Sequence, residues 1–313
     1  MADRATREAL GATLVELAAE GRDDIVSLDA DLAKATTTVK FKAAYPDRFF
    51  DMGIAEANMM GTAAGLAAGG RTPFASTFAV FAAGRAYDQI RNSICYANLG
   101  VKIAATHAGV TVGPDGGSHQ MVEDIALMRV LPNMQVLVPA DFRSACAAIR
   151  IASETPGPFY IRLGRPAVPA IYADDATFEL GRSNVLRAGT DVTLVACGGM
   201  VFRALAAADA LAADGFSAEV IDAMSLKPFD TATLVTSAAK TGAVVSCEEH
   251  SVIGGLGSAV AVALAENVPC PLELVGVKDV FGTSGEPEPL MVHFSLTADD
   301  IAAAARRAIA RAS

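Results

Sequence analysis

Five segments of the sequence carry side chains able to do chemistry, and Glu56 heads them. It stands in FFDMGIAEANMMGTAAGLAAGG, where a strand ends near Met52, Gly53 turns the chain and a nearly all-apolar helix follows. Burying a carboxylate as an unpaired ion costs several kcal/mol, so an unpaired Glu56 is expected to be protonated. The plainer alternative is a carboxylate near a helix N-terminus, where the dipole favours it. The run TPFASTFAVFAAGRAYDQIRN places Phe74, Phe78, Phe81 and Tyr87 where they can share one apolar wall. Phenylalanines three residues apart are also ordinary core packing.

THAGVTVGPDGGSHQ, residues 106–120, is a glycine-rich loop after a strand, holding His107, Asp115 and His119. Its glycines allow tight turns and close ligand approach. Two His and one Asp are metal-ligand types, but their spacing fits no compact ligand motif. Loops on a rigid scaffold are a common place for function. Arg162 and Arg165 close the strand FYIRL. With Arg7 and His107 they form a candidate phosphate site, because a guanidinium presents a fork of donors. Solvated or salt-bridged arginines are the other reading. The glycine cluster in EEHSVIGGLGSA reads as a helix N-cap turn rather than a dinucleotide motif.

The elements that must position these groups alternate. DIVSL, VKIAAT, MQVLVP and FYIRL read as buried strands, separated by Ala-rich helical segments such as 55–68 and 142–153. Strands alternating with helices imply a parallel sheet covered on both faces. Loops at the carboxyl ends of such strands are free to build a site. The segment 164–183, with three prolines and an acidic turn, reads as a linker. The alternation then restarts, with strands at DVTLVACGG, SAEVIDA, AVVSCEE and PLELVGV and helices over 200–213, 231–240, 257–266 and 298–312. The expected fold class is α/β, with two parallel-sheet three-layer domains. The domains are set at residues 1–170 and 186–313, with a linker over 171–185.

Composition narrows the classes of function. Hydrophobic residues make up 52% of the 313, enough for large cores, and the charged fraction of 19% is not that of a disordered chain. A net charge of -10 argues against nucleic-acid binding, which needs a basic face, but not against a local phosphate site. Five scattered cysteines read as free thiols in a reducing compartment. No apolar run reaches the roughly 18 residues of a membrane span. The opening MADRATREAL has no apolar signal-peptide core. The expected location is the cytoplasm, with no membrane partner.

Taken in order, LDADL, MGIAEANM, STFAVF, THAGVTVGPDGGSHQ, GRPAVP and FGTSGEPEPL resemble the C-terminal two-thirds of transketolase, over essentially the whole chain. The resemblance implies the family's pyrimidine-binding domain followed by its C-terminal domain, and thiamine diphosphate as cofactor and electron sink. It makes Glu56 the catalytic glutamate, a carboxyl that hydrogen-bonds N1′ of the aminopyrimidine and so activates the thiazolium. It makes Phe78 and Phe81 the aromatics packed on the pyrimidine. A third aromatic of the pattern falls at Gly84, with Tyr87 as its candidate substitute. Asp31 matches an acidic residue near the thiazolium. Arg7, His107 and Arg165 match substrate-phosphate ligands, Asp115 a reader of a sugar hydroxyl, and His119 a group near the reacting carbon. A serine of the phosphate site falls at Ala35, beside Thr36, which leaves the acceptor sugar open.

The family's diphosphate- and metal-binding domain, with its Gly-Asp-Gly start, has no counterpart in this sequence. A split enzyme is therefore expected. A separate N-terminal subunit would hold the diphosphate and its Mg²⁺ or Ca²⁺, in a heterotetramer with two copies of each chain. Alone, this chain should be inactive. Deoxyxylulose-phosphate synthase has a similar loop but normally carries Arg where His107 stands. The β subunit of a 2-oxo-acid dehydrogenase has this length but lacks the loop. A non-catalytic assembly subunit needs none of these groups together. The C-terminal domain is expected to support assembly, with His250 and His293 structural.

Overall fold

The computed structural model describes residues 3–312. Its first half contains β1 (Arg4–Ala5), β2 (Ile25–Asp29), β3 (Phe49–Asp51), β4 (Thr72–Phe78), β5 (Lys102–Thr106), β6 (Gln135–Leu137), β7 (Phe159–Arg162) and β8 (Ala167–Val168). The second half contains β9 (Asn184–Arg187), β10 (Val192–Ala196), β11 (Ala218–Asp222), β12 (Ser225–Lys227), β13 (Val244–Ser251) and β14 (Leu272–Val277). Every residue of β2, β5, β7, β10 and β11 is buried. That is the burial expected of strands covered by helices on both faces, which read as apolar runs rather than alternations.

The first sheet runs β12-β6-β7-β5-β4-β2-β3 and the second β14-β13-β10-β11-β9. Both are α/β sheets, as the alternation predicts, but neither is wholly parallel. β9 lies antiparallel on β11, and β12 lies antiparallel on β6. β12 comes from the second domain and forms the edge of the first domain's sheet. The alternation rule missed it because Ser225–Lys227 is too short to register as a periodic segment. The proline-rich stretch is not wholly irregular either, since β8 pairs antiparallel with β1.

Helices Glu8–Ala19 and Phe142–Glu154 pack together on one face of the first sheet. The second is started by a capping box, Asp141 accepting from the Ser144 amide at 2.8 Å and Ser144 Oγ from the Asp141 amide at 2.9 Å. Helix Glu56–Ala68 covers the other face, where Met59, Met60 and Ala63 are fully buried. That apolar cluster does not stop at the domain boundary. It runs from Leu28 through Val136 and Val138 to Cys197, Ile221 and Leu226 of the second domain.

Two buried polar groups in the strands have backbone or hydroxyl partners. Asp29 of β2 accepts from the Leu32 amide at 2.6 Å and from Thr36 and Thr38 hydroxyls at 2.7 and 2.9 Å, fixing the loop that follows. Lys102 of β5 donates to the carbonyls of Thr155 and Gly157 at 2.8 and 2.7 Å. Burial pulls its ammonium down to about 7.

Candidate functional site

The candidate residues gather at the carboxyl ends of the first sheet's strands. Asp31 follows β2, Glu56 follows β3, Phe78 ends β4, His107 follows β5, and Arg165 follows β7. Ligands of open α/β sheets bind in such a crevice. Two backbone features shape it. Gly53 takes a φ of 66° after β3, the turn that starts the helix of Glu56. His107 takes a φ of 57°, uncommon for a residue with a side chain and often found where a site imposes it. Asp51 Oδ1 accepts from the amides of Asp31 and Gly53 at 3.1 and 3.2 Å, joining the two turns.

Glu56 is the first residue of its helix and is buried. It is not unpaired, as the sequence suggested. Arg85 Nη1 donates to both of its oxygens, at 2.9 and 3.0 Å. The guanidinium also lies over the Phe81 ring, 4.5 Å from its centroid, and its side chain stays half-exposed. Arg85 was missed because it lies 29 positions along the chain in the only basic position of VFAAGRA, and sequence periodicity does not report pairing at that distance.

The rings form one connected wall. Phe78 and Phe81 stack with centroids 6.0 Å apart. His107 stacks on Phe78 at 3.9 Å, and His119 meets Phe81 edge-on at 5.6 Å. The structure thus brings Glu56, Arg85, Phe78, Phe81, His107 and His119 together. Tyr87 is directed elsewhere, its hydroxyl donating to the Leu127 carbonyl at 3.3 Å. The place beside Phe81 is taken by Arg85. Asp31 is exposed at the rim and makes no side-chain hydrogen bond among those described.

The basic end is built by Arg7, Arg165 and His107. Arg7 donates to the backbone carbonyls of Ala35 at 2.6 Å and Arg165 at 3.1 Å, which anchors it while leaving donors of the fork unspent. Arg165 donates to the Val112 carbonyl and pairs with Asp115 at 3.6 Å, bridging to the glycine-rich loop. Burial, then the positive charges of Arg7 and Arg165, hold His107 down at about 3. It is a neutral imidazole at physiological pH, with Nδ1 2.9 Å from the Thr106 hydroxyl. Thr36 is committed to Asp29.

Arg162 is a correction. It is buried, and its Nε donates to Asp124 at 2.8 Å, with Nη2 donating to the Glu249 carbonyl at 3.0 Å. Tyr160 donates to the same Asp124 oxygen at 2.8 Å. This arginine ties the two domains and has no face for an anion. His250 is wholly buried and is held down to about 4 by desolvation. A cavity of about 760 Å³ lies away from the crevice, lined by Arg4, Cys146, Arg150 and Tyr172. None of the candidate residues lines it.

Residues 2–170 match the family model of the transketolase pyrimidine-binding domain, and residues 181–301 that of the transketolase C-terminal domain. A putative transketolase C-terminal section of Methanocaldococcus jannaschii is 45% identical, over 95% of this chain and 93% of that protein. A 6-deoxy-6-sulfo-D-fructose transketolase subunit of a Clostridium species is 46% identical, over 94% and 91%. Among solved structures, a split-gene transketolase described as an inactive β4 tetramer is 56% identical, covers all of both chains and superposes with a TM-score of 0.92.

Proposed function

Given that the chain belongs to the transketolase family, pairing its pyrimidine-binding and C-terminal domains, we propose that it is the C-terminal subunit of a split transketolase. It transfers a two-carbon ketol unit between sugar phosphates and acts only with an N-terminal subunit that holds the cofactor's diphosphate. The observation that carries this reading is a buried carboxylate, Glu56, facing a wall of stacked rings. A flat, nitrogen-bearing aminopyrimidine matches that donor set, with an apolar face for stacking and a carboxyl for a ring nitrogen. When bound, thiamine diphosphate supplies the electron sink for breaking the ketose carbon–carbon bond.

Each residue of this chain then has a task. In its protonated form Glu56 would donate a hydrogen bond to the pyrimidine N1′, the oxygen that bears the proton being released by Arg85. Phe78 and Phe81 would hold the ring plane, and Asp31, exposed at the rim, would supply negative charge to the cationic thiazolium. His119, on the ring wall, reaches toward the reacting carbon, and Asp115 reads a sugar hydroxyl. Arg7 and Arg165 bind the anionic end, with His107 as a neutral hydrogen-bonding partner. The metal, Mg²⁺ or Ca²⁺, is held by the partner subunit. Among the described residues no three His, Cys, Asp or Glu lie close enough to hold one. The β4 form of the split-gene relative is named as inactive, which supports the need for a second chain.

The test is co-expression with a candidate N-terminal subunit and an assay of transfer from xylulose 5-phosphate to ribose 5-phosphate, with thiamine diphosphate and Mg²⁺. Activity should require both chains and fall at least about a hundredfold in Glu56→Gln. Full activity from this chain alone would sink the split-enzyme reading.

A further inference from the structure

We propose that the second domain sets the position of the sugar-binding loop, through Glu249 and the segment 282–287, and so takes part in substrate binding as well as assembly. The proposal rests on the reading of residues 107–120 as that loop. Glu249 Oε1 accepts from the Thr111 amide at 2.7 Å, and Gly109 (φ 82°) leaves no room for a Cβ against the same carboxylate. The side-chain NH2 of Gln120, the residue after His119, shares its two hydrogens among three carbonyls, those of Val110 and Gly113 within the loop both at 3.1 Å. The third is the Thr283 carbonyl of the second domain, at 2.9 Å. Gly117 meets the Gly282 carbonyl and Gly116 the Ser284 hydroxyl, both too close for a Cβ, while Gly113 lies in ordinary contact with Gly285 and Pro287 and is called for by its φ of 84°. Helix Pro287–His293 packs against the turn over 110–115. The loop's glycines are therefore matched to the surface behind them as well as to their turns.

These contacts fall between the groups that face the crevice. Thr111 and Gly113 lie between His107 and Asp115, and Gln120 adjoins His119. A shift of the 282–287 segment would reach the sugar-facing side chains through the backbone. Gly282 offers a clean probe. Its φ is not in the left-handed region, so alanine fits its backbone, but a methyl there collides with the Gln120 side chain. It is also only half-buried, outside the core.

Gly282→Ala should leave the single chain folded, its unfolding midpoint lowered only by the contacts Gln120 gives up, and move the ring resonances of His119 in a ¹H–¹³C spectrum of histidine-labelled protein. The ring of Phe81 beside it makes His119 a sensitive reporter, and the chain has only four histidines. His250, deep in β13, should stay in place. In the two-chain enzyme the variant should raise KM for the sugar phosphate about tenfold, the loss of one or two hydrogen bonds, with cofactor affinity unchanged. Unmoved His119 resonances, or moved ones with wild-type kinetics, would overturn the proposal. If Gly282→Ala fails to fold, Gln120→Met removes the donor at similar length without adding a charge and is read the same way. The spectrum needs neither cofactor nor partner, so an absence of ketol transfer in the wild-type complex would strike the functional reading and leave the positioning result standing.

Discussion

At the scale of single residues the site is governed by a charge pair that the sequence only half reveals. The apolar setting of Glu56 is plain in MGIAEANMM, and the carboxylate is indeed buried. Its partner depends on how the helix of Glu56 packs against the helical turn Val80–Arg85 after β4, and that is a tertiary property. With half of Arg85 in water, the pair is worth less than a fully buried one, yet removing the arginine leaves a buried carboxylate without its donor. Arg85→Ala should therefore destabilise the chain by about 1–2 kcal/mol. Adding Glu56→Gln to that variant should recover much of the loss, because the residual cost is the unpaired charge. Urea unfolding of the four members of the cycle measures this, and simple additivity of the two substitutions would refute it. His107, held down at about 3, should contribute no titration step to the rate between pH 5 and 8. A His107→Asn variant should keep the shape of the wild-type pH–rate profile. Disappearance of a limb near pH 6 would contradict that.

At the scale of elements the regular parts were legible and the short ones were not. Helices Met200–Ala213 and Ala298–Ala312 begin and end where their Ala-rich periods do. The crevice was legible too, because alternation places all the candidate loops at the same ends of the strands. β12 was not. Three residues carry no period, and their place on β6 is a tertiary fact. Lys227 secures that edge by donating to the Arg129 carbonyl at 2.9 Å. A fragment ending at residue 175 would leave β6, with its apolar Val136 and Leu137, as an open edge, the kind that pairs with other chains. Such a fragment should self-associate, seen as early elution in size-exclusion chromatography. A monodisperse, folded monomer would argue against the edge's importance.

At the scale of the whole molecule, buried titratable groups make stability depend on pH between about 4 and 7. Burial pushes Asp222 up to about 7, with Tyr172 donating to it at 2.6 Å. The folded chain thus binds this proton more tightly than the unfolded chain. The stabilisation is full below pH ~4 and is lost as pH rises through 7. Glu248, also pushed up to about 7, acts in the same direction. His250, held at about 4, acts oppositely. It favours the folded state when neutral, and that advantage fades as pH falls from ~6.5 toward 4. Asp222→Asn should therefore flatten the fall in stability between pH 5 and pH 8. Urea midpoints at the two pH values check this, and an unchanged slope would count against it.

The strand that crosses from the second domain into the first domain's sheet has a thermodynamic consequence as well. The apolar cluster passes through the same region, and Arg162 binds the Glu249 carbonyl beside it. Neither half can melt without tearing a sheet edge and a shared core from the other. Two domains should then behave as one cooperative unit on heating. Provided melting is reversible, calorimetry of the single chain would give one endotherm with equal calorimetric and van't Hoff enthalpies.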